Sequence, residues 1–403
     1  MRWPESGILT LSVSRRRSVG TRRGPTLGWL RVALAFLVLD LHYGFFRGHF
    51  QHWIDARIGP LAWVNDGALA VFGFFSISGW LVADMLLSSR YPLRGPLDLV
   101  RFVLSRWARI YPLYWIVLAF WLAAMPWSGW ATVTANVLLW PFGLWAFFYD
   151  QQRFGPLFNH LLLVPAWTLA LDLVLYPIGA LLAPVRARWA VLWLILAVLW
   201  WAVGAWLAPA RTGHAAYIWW HFRYWTGAGA GVLAFLLGLA LRKFAMHVPR
   251  PPWSAWLALG VAVWCSFLPL GLGYFSASLI AMTAYAWLTH WLAARGRGSR
   301  EAFLGNFTYA LYLVHIPVIA HLSAINSPQV PLLATITSIV IAMILALTVE
   351  QPLELLRRRW LTPRLTQTES RSGSWGTTWR VLATAAMVGS TGGYIWMAWH
   401  WLP

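Results

Sequence analysis

Two side chains able to do acid–base chemistry lie deep within long apolar stretches of this sequence. His42 ends the run RVALAFLVLDLH, and Asp172 sits inside AWTLALDLVLYP. A neutral imidazole can take a proton from a hydroxyl, and a carboxylate can orient that imidazole or stabilise its cation. An unpaired carboxylate buried in hydrocarbon costs several kcal/mol or takes up a proton, so Asp172 calls for a partner. For His42 alone, a plain helix–helix hydrogen bond is an equal reading. Asp40 lies two residues from His42, hence on a different helix face, and suits a structural or cavity-lining place. His290, His315 and His321 also fall within or near apolar runs.

Arginines offer a second chemistry. Arg31 and His42 are eleven positions apart, three turns plus about 20°, so both project from one helix face roughly 16 Å apart. Arg106 and Arg109 lead into Ile110, Tyr111, Pro112 and Tyr114. Guanidinium forks match phosphate oxygens, so Arg31, Arg106 and Arg109 could clamp a phosphate at one end of a bundle. The competing reading for a juxtamembrane arginine is topological anchoring and headgroup contact. Glu350, just before Pro352, is placed either to pair with one of these arginines or to end a helix in solvent. Gly227 and Gly231 have a spacing that suits close helix packing.

Such residues need a scaffold, and composition names its class. Of 403 residues, 60% are apolar and only 11% charged; soluble domains carry roughly 25% charged residues, and disordered chains are richer still in polar residues. Both classes are excluded. A transmembrane barrel would show short alternating strands, whereas these apolar runs are continuous. The expectation is an all-α, polytopic transmembrane helical bundle. Runs long enough to cross fall at about 27–46, 67–87, 110–126, 166–183, 189–208, 224–241, 253–270, 274–293, 307–323, 331–349 and 381–402. The net charge of +19 does not point to nucleic acid, because no soluble basic face is available to bind it. Cys265 is the single cysteine, which leaves no disulfide and no thiol metal site; no metal is expected. The basic N-terminal stretch precedes an apolar helix without a small-residue cleavage site, as in an uncleaved anchor.

One further apolar stretch, 131–149, contains Pro141 and Gly143, and the basic residues decide whether it crosses. If it does not, 25 of the lysines and arginines lie on the cytoplasmic side and five outside. If it does, the split becomes 14 against 16. The positive-inside bias prefers the first arrangement. The predicted topology is therefore a ten-helix core plus one appended C-terminal helix, with 131–149 re-entrant or interfacial and the N-terminus cytoplasmic. The chain divides into a basic cytoplasmic tail (1–26), a membrane domain (27–352), a basic cytoplasmic linker (353–380) and an extra transmembrane helix (381–403). On this topology His42 lies roughly 22 Å in from the cytoplasmic end of its helix. Asp172 lies about 9 Å below the outer surface on an opposed helix, at a similar level.

Six short motifs in order then carry a resemblance. They are Arg31 with His42; Gly67, Phe74, Phe75, Ser78 and Gly79 in GALAVFGFFSISGWLV; and Arg106, Arg109, Ile110, Pro112 and Tyr114 in RWARIYPLY. Next come Trp167, Thr168, Leu169, Asp172 and Tyr176 in AWTLALDLVLYP; Tyr309, Leu311, Tyr312, His315 and Pro317 in LGNFTYALYLVHIPV; and Glu350 with Pro352 in VEQP. Together they resemble the acyltransferase-3 family of integral membrane O-acyltransferases, over about residues 27–352. The family usually has glutamate where this chain has Asp172, one methylene shorter.

The resemblance implies a bacterial inner (plasma) membrane enzyme of ten core helices. It would move an acyl group, acetyl by default, from cytoplasmic acyl-CoA to a hydroxyl of a cell-envelope or extracytoplasmic carbohydrate or glycolipid. Acyl-CoA is then a co-substrate, and no cofactor is expected. His42 would act as general base or as a covalent acyl relay, with Asp172 orienting it. Arg31, Arg106 and Arg109 would hold the donor phosphates, and Ser78, Tyr114, His315 and Glu350 would line or support the substrate path. With no fused extracytoplasmic domain expected, the chain would stand alone or work with a separate extracytoplasmic partner. Two rival readings use the same residues: a transporter or flippase of a glycolipid or acyl donor, and an inactive scaffold of the same fold.

Overall fold

The computed structural model describes residues 26–43, 66–88, 91, 93, 95–124, 129–148, 161–184, 191–199, 228–244, 248–266, 272–293, 295, 299–325, 327 and 329–361. The expected span at 381–402, most of the N-terminal tail and most of the linker lie outside these residues. Twelve α-helices are α1 (Leu27–Tyr43), α2 (Asp66–Leu87), α3 (Pro96–Ala124), α4 (Trp130–Leu138), α5 (Trp140–Phe148), α6 (Ala166–Leu182), α7 (Ala228–Phe244), α8 (Pro252–Ser266), α9 (Leu272–Ala293), α10 (Ser299–Leu322), α11 (Val330–Leu345) and α12 (Gln351–Leu361). Residues 191–199 are helical as well, and no strand occurs among the described residues. The architecture is all-α and polytopic. In hydrocarbon the backbone must satisfy its own polar groups, and a helix does so within one segment.

Among the described residues, four helical stretches are long and apolar enough to cross a membrane: Leu69–Leu87, Pro96–Ala124, Arg300–Ile325 and Val330–Arg357. Two of them start earlier than hydropathy suggests. The third helix begins at Pro96, not near residue 110, because Arg106 and Arg109 lower local hydropathy without interrupting the helix. The tenth begins at Ser299, not near residue 307, for the same kind of reason at Arg300 and Glu301. At its far end, α11 passes through a π-helical turn, Ala346–Glu350, directly into α12. Pro352 has no N–H and crowds the carbonyl four residues back, so the turn widens just before it. The helix therefore runs unbroken across residue 352, the expected limit of the membrane domain.

α2 is the centre of the bundle, packed against α1, α6, α7 and α9. Its approach to α7 is set by glycines. A Cβ at Gly79 would overlap the carbonyl oxygen of Phe235, and one at Gly238 would overlap that of Ser76. Backbone thus meets backbone at both points, the packing that small residues permit between membrane helices. Gly231 serves a milder version of the same contact, against Phe75 and Leu171; Gly227 lies outside the described residues.

The stretch at 131–149 folds as two nine-residue helices, α4 and α5, each about 14 Å long. Neither can cross 30 Å of hydrocarbon alone. The break falls at Leu139, which adopts φ 58°. It leaves the last carbonyls of α4 without helical partners, and α3 supplies donors to them in sequence. Tyr114 Oη donates to the Asn136 carbonyl at 2.8 Å, Trp115 Nε1 to that of Val137 at 2.8 Å, and Tyr111 Oη to that of Leu138.

These glycine contacts yield a direct expectation for stability. Replacing Gly79 or Gly238 by alanine lowers stability by about 1–3 kcal/mol, the usual cost of overpacking. Gly260, whose Cβ would meet nothing within 4 Å, gains up to about 1 kcal/mol as alanine from helix propensity. Thermal unfolding of the three variants in one detergent checks the opposite signs.

Candidate active site

Six helices enclose a cavity of about 260 Å³ whose wall includes Arg31 of α1, Ser78 of α2, Arg106 and Arg109 of α3, Asp172 and Tyr176 of α6, and Tyr309 and Tyr312 of α10. Arg357 of α12 closes the same wall. The three arginines named from the sequence thus converge from two helices that are far apart in the chain. Arg31 faces a glycine: a Cβ at Gly305 would stand 2.9 Å from its Nη1, so the absence of a side chain there leaves room for the guanidinium.

Each α3 arginine is held by its neighbours. The Arg106 guanidinium lies 5.9 Å from the ring centroids of Tyr91 and Phe102, a cation–π arrangement, and its Nε donates to Ser105 Oγ at 3.3 Å. Arg109 Nη1 donates to Glu350 Oε2 at 2.5 Å and lies 3.7 Å from Glu354 Oε2. Its guanidinium also stands 5.7 Å from the ring of Tyr309, whose hydroxyl donates to the Ile110 carbonyl at 2.6 Å. Glu350 is 2% exposed, so it is no solvated helix end. Removing one partner of such a buried pair costs about 3–5 kcal/mol.

Asp172 lies further along the wall. Its Oδ1 accepts from Ser78 Oγ at 3.0 Å and its Oδ2 from Tyr176 Oη at 3.5 Å. No hydrogen bond joins Asp172 to His42, so the expected pairing of carboxylate with imidazole is not made. One turn earlier on α6, about 6 Å from Asp172 along the axis, is Thr168. There Thr168 Oγ1 and Tyr312 Oη lie 2.8 Å apart, and both donate toward the Pro165 carbonyl, at 3.1 and 2.9 Å.

Instead of a carboxylate, His42 meets a second imidazole. The rings of His42 and His315 have centroids 5.0 Å apart and are tilted by 58°. His42 Nδ1 lies 2.9 Å from the Val38 carbonyl, and His315 Nδ1 lies 2.8 Å from that of Tyr312. A carbonyl can only accept, so both Nδ1 atoms carry the proton and both Nε2 atoms present a lone pair. His315 Nε2 is buried without a hydrogen-bond partner, while the His42 ring is exposed. Tyr43 fixes the backbone here: its hydroxyl donates to the His315 carbonyl at 2.7 Å and accepts from Ser338 Oγ at 2.7 Å. The Tyr312 ring, 5.7 Å from that of His315, stands between the imidazole pair and the arginine-lined cavity.

The sequence-named residues therefore fall into three groups. Arg31, Ser78, Arg106, Arg109 and Asp172 line the cavity; His42 and His315 form the pair beyond Tyr312. Glu350 supports Arg109 from behind the wall. Tyr114 belongs to the α4 cap described above and does not line the cavity. Asp40 is buried on α1 and is not part of the wall either. His290 is occupied elsewhere, with Trp80 Nε1 at 3.2 Å and Arg250 Nε at 2.8 Å. Sequence reasoning overlooked Arg357, which looked like linker charge. The available signal was its spacing: Glu350, Glu354 and Arg357 recur at four and three residues, one helix face.

A family model described as an acyltransferase domain, that of the acyltransferase-3 family, matches residues 25–351. No curated protein and no solved structure matches the chain. The match covers every motif from Arg31 to Glu350, including the arginines of the cavity and both imidazoles. By that match, and by its apolar helical architecture, this chain belongs to the acyltransferase-3 family and is a membrane acyltransferase.

Proposed function

We propose that the chain is an O-acyltransferase of the bacterial inner membrane, with its N-terminus cytoplasmic. It moves an acyl group, acetyl by default, from cytoplasmic acyl-CoA to a hydroxyl of an extracytoplasmic or cell-envelope carbohydrate. The reading is supported by the two unlike ends of one region: guanidiniums suited to phosphates, and imidazoles suited to proton transfer. The observation that carries it is the 2.9 Å contact of His42 Nδ1 with the Val38 carbonyl. With Nδ1 tied to the Val38 carbonyl, Nε2 is left as the proton acceptor.

In this reading Arg31, Arg106 and Arg109 bind the donor phosphates, and the acyl-bearing arm extends along the cavity past Thr168 and Tyr312. His42 Nε2 takes the proton from the acceptor hydroxyl as its oxygen attacks the thioester carbonyl. The carbon–sulfur bond then breaks, and the leaving thiolate receives the proton from His42, giving the ester and free CoA. His315 adds a second lone pair beside the forming imidazolium. Asp172, held by Ser78 and Tyr176, accepts from an amide N–H of the donor arm and does not orient His42.

Purified protein supplied with labelled acetyl-CoA and candidate glycans tests this. Transfer of label is expected, and His42→Ala should lower kcat by about 10²–10⁴ while the protein still inserts and melts normally. Normal turnover by His42→Ala sinks the assigned chemistry, and no transfer by the unaltered protein favours a transporter or inactive scaffold. Asp172→Asn separates binding from base catalysis. It should raise KM for the donor by roughly tenfold, the scale of one hydrogen bond to a charged group, with kcat changed little. A kcat loss as deep as that of His42→Ala would return Asp172 to the proton-transfer step.

A further inference from the structure

The fourth guanidinium of the cavity lies outside the family match. Arg357 is on α12, beyond residue 351 where the match ends, yet its side chain lines the same cavity as Arg31, Arg106 and Arg109. Glu354 bonds it directly, and Glu350 is near enough to act on its charge. Glu354 Oε2 is in close contact with Arg357 Nη2 and lies 3.7 Å from Arg109 Nη1. Glu350 is already engaged by Arg109 at 2.5 Å. Neither glutamate lines the cavity, so at this end a ligand meets guanidiniums with the two glutamates standing behind them, while Asp172 lies further along the wall. A guanidinium has five N–H donors, so two carboxylates behind two arginines leave donors on both for a ligand.

We infer that Arg357 is a further donor-binding residue, a fourth phosphate ligand contributed by α12, and that Glu354 tempers its attraction. The inference rests on the acyl-CoA reading above and narrows it to a donor with several phosphate groups. It also gives the helical continuity through the π turn a use, because an end of the membrane domain at residue 352 would have left Arg357 without a fixed position. The two side chains act with opposite sign: losing the arginine weakens phosphate binding, and neutralising the glutamate strengthens it.

Equilibrium binding of CoA and of pantetheine, which lacks the phosphates, tests this on the full chain in nanodiscs without requiring turnover. Arg357→Ala should raise the Kd for CoA about tenfold, equivalent to 1.4 kcal/mol, and leave pantetheine unchanged. Arg357→Lys should recover part of the loss. Glu354→Gln should lower the Kd for CoA about threefold, a gain that a merely structural role for the pair would not produce. Unchanged CoA binding by Arg357→Ala, or equal losses for both ligands, overturns the role of Arg357 and leaves the acyl-CoA reading standing. Failure of the unaltered protein to bind CoA overturns both.

Discussion

A guanidinium inside an apolar bundle must be compensated, and at the cavity the bond from Arg109 to Glu350 meets that requirement. Desolvating either charge alone is expensive. The pair therefore ties α3 to the helix that begins as α11 and continues as α12. Tyr309 packs its ring near the same guanidinium and bonds across to the Ile110 carbonyl, which brings α10 into the arrangement. Three long helices thus depend on one ion pair, and the cavity lies in the space they enclose with α1, α2 and α6. Arg31, Arg106 and Arg357 are placed by that geometry.

Among the described residues, two irregular points of the backbone lie next to functional or bridging side chains. The π turn ends at Glu350, directly before Pro352, and aims the carboxylate at α3; such turns often mark functional positions. The break at Leu139 is held by three donors from one stretch of α3, at positions 111, 114 and 115. Membrane helices tolerate open carbonyls only when protein groups satisfy them. One helix, α3, therefore serves both purposes, offering arginines at one level and aromatic donors at another.

Much of this was legible in the sequence. The helical class followed from composition, and the limits of α2, α6 and α9 lie within two residues of the apolar runs because no arginine or lysine interrupts them. The starts of α3 and α10 were missed because hydropathy cannot see a helix that continues through Arg106 or Arg300. Arg31, Arg106 and Arg109 could be named from type and spacing, but their convergence depends on packing between distant segments. The partner of His42 was the harder case. The neighbour turned out to be His315, whose place beside His42 depends on how α10 packs against α1.

The central claim is directional: phosphate groups at the arginine end, the reacting thioester beyond Tyr312 at the two imidazoles. A structure of the protein with a non-hydrolysable acyl-CoA bound in a lipid nanodisc measures this directly. The account predicts the phosphates among Arg31, Arg106, Arg109 and Arg357, with the acyl carbon adjacent to His42 Nε2. Phosphates bound away from those arginines, or an acyl group that ends in the cavity short of Tyr312 with His42 untouched, would contradict it.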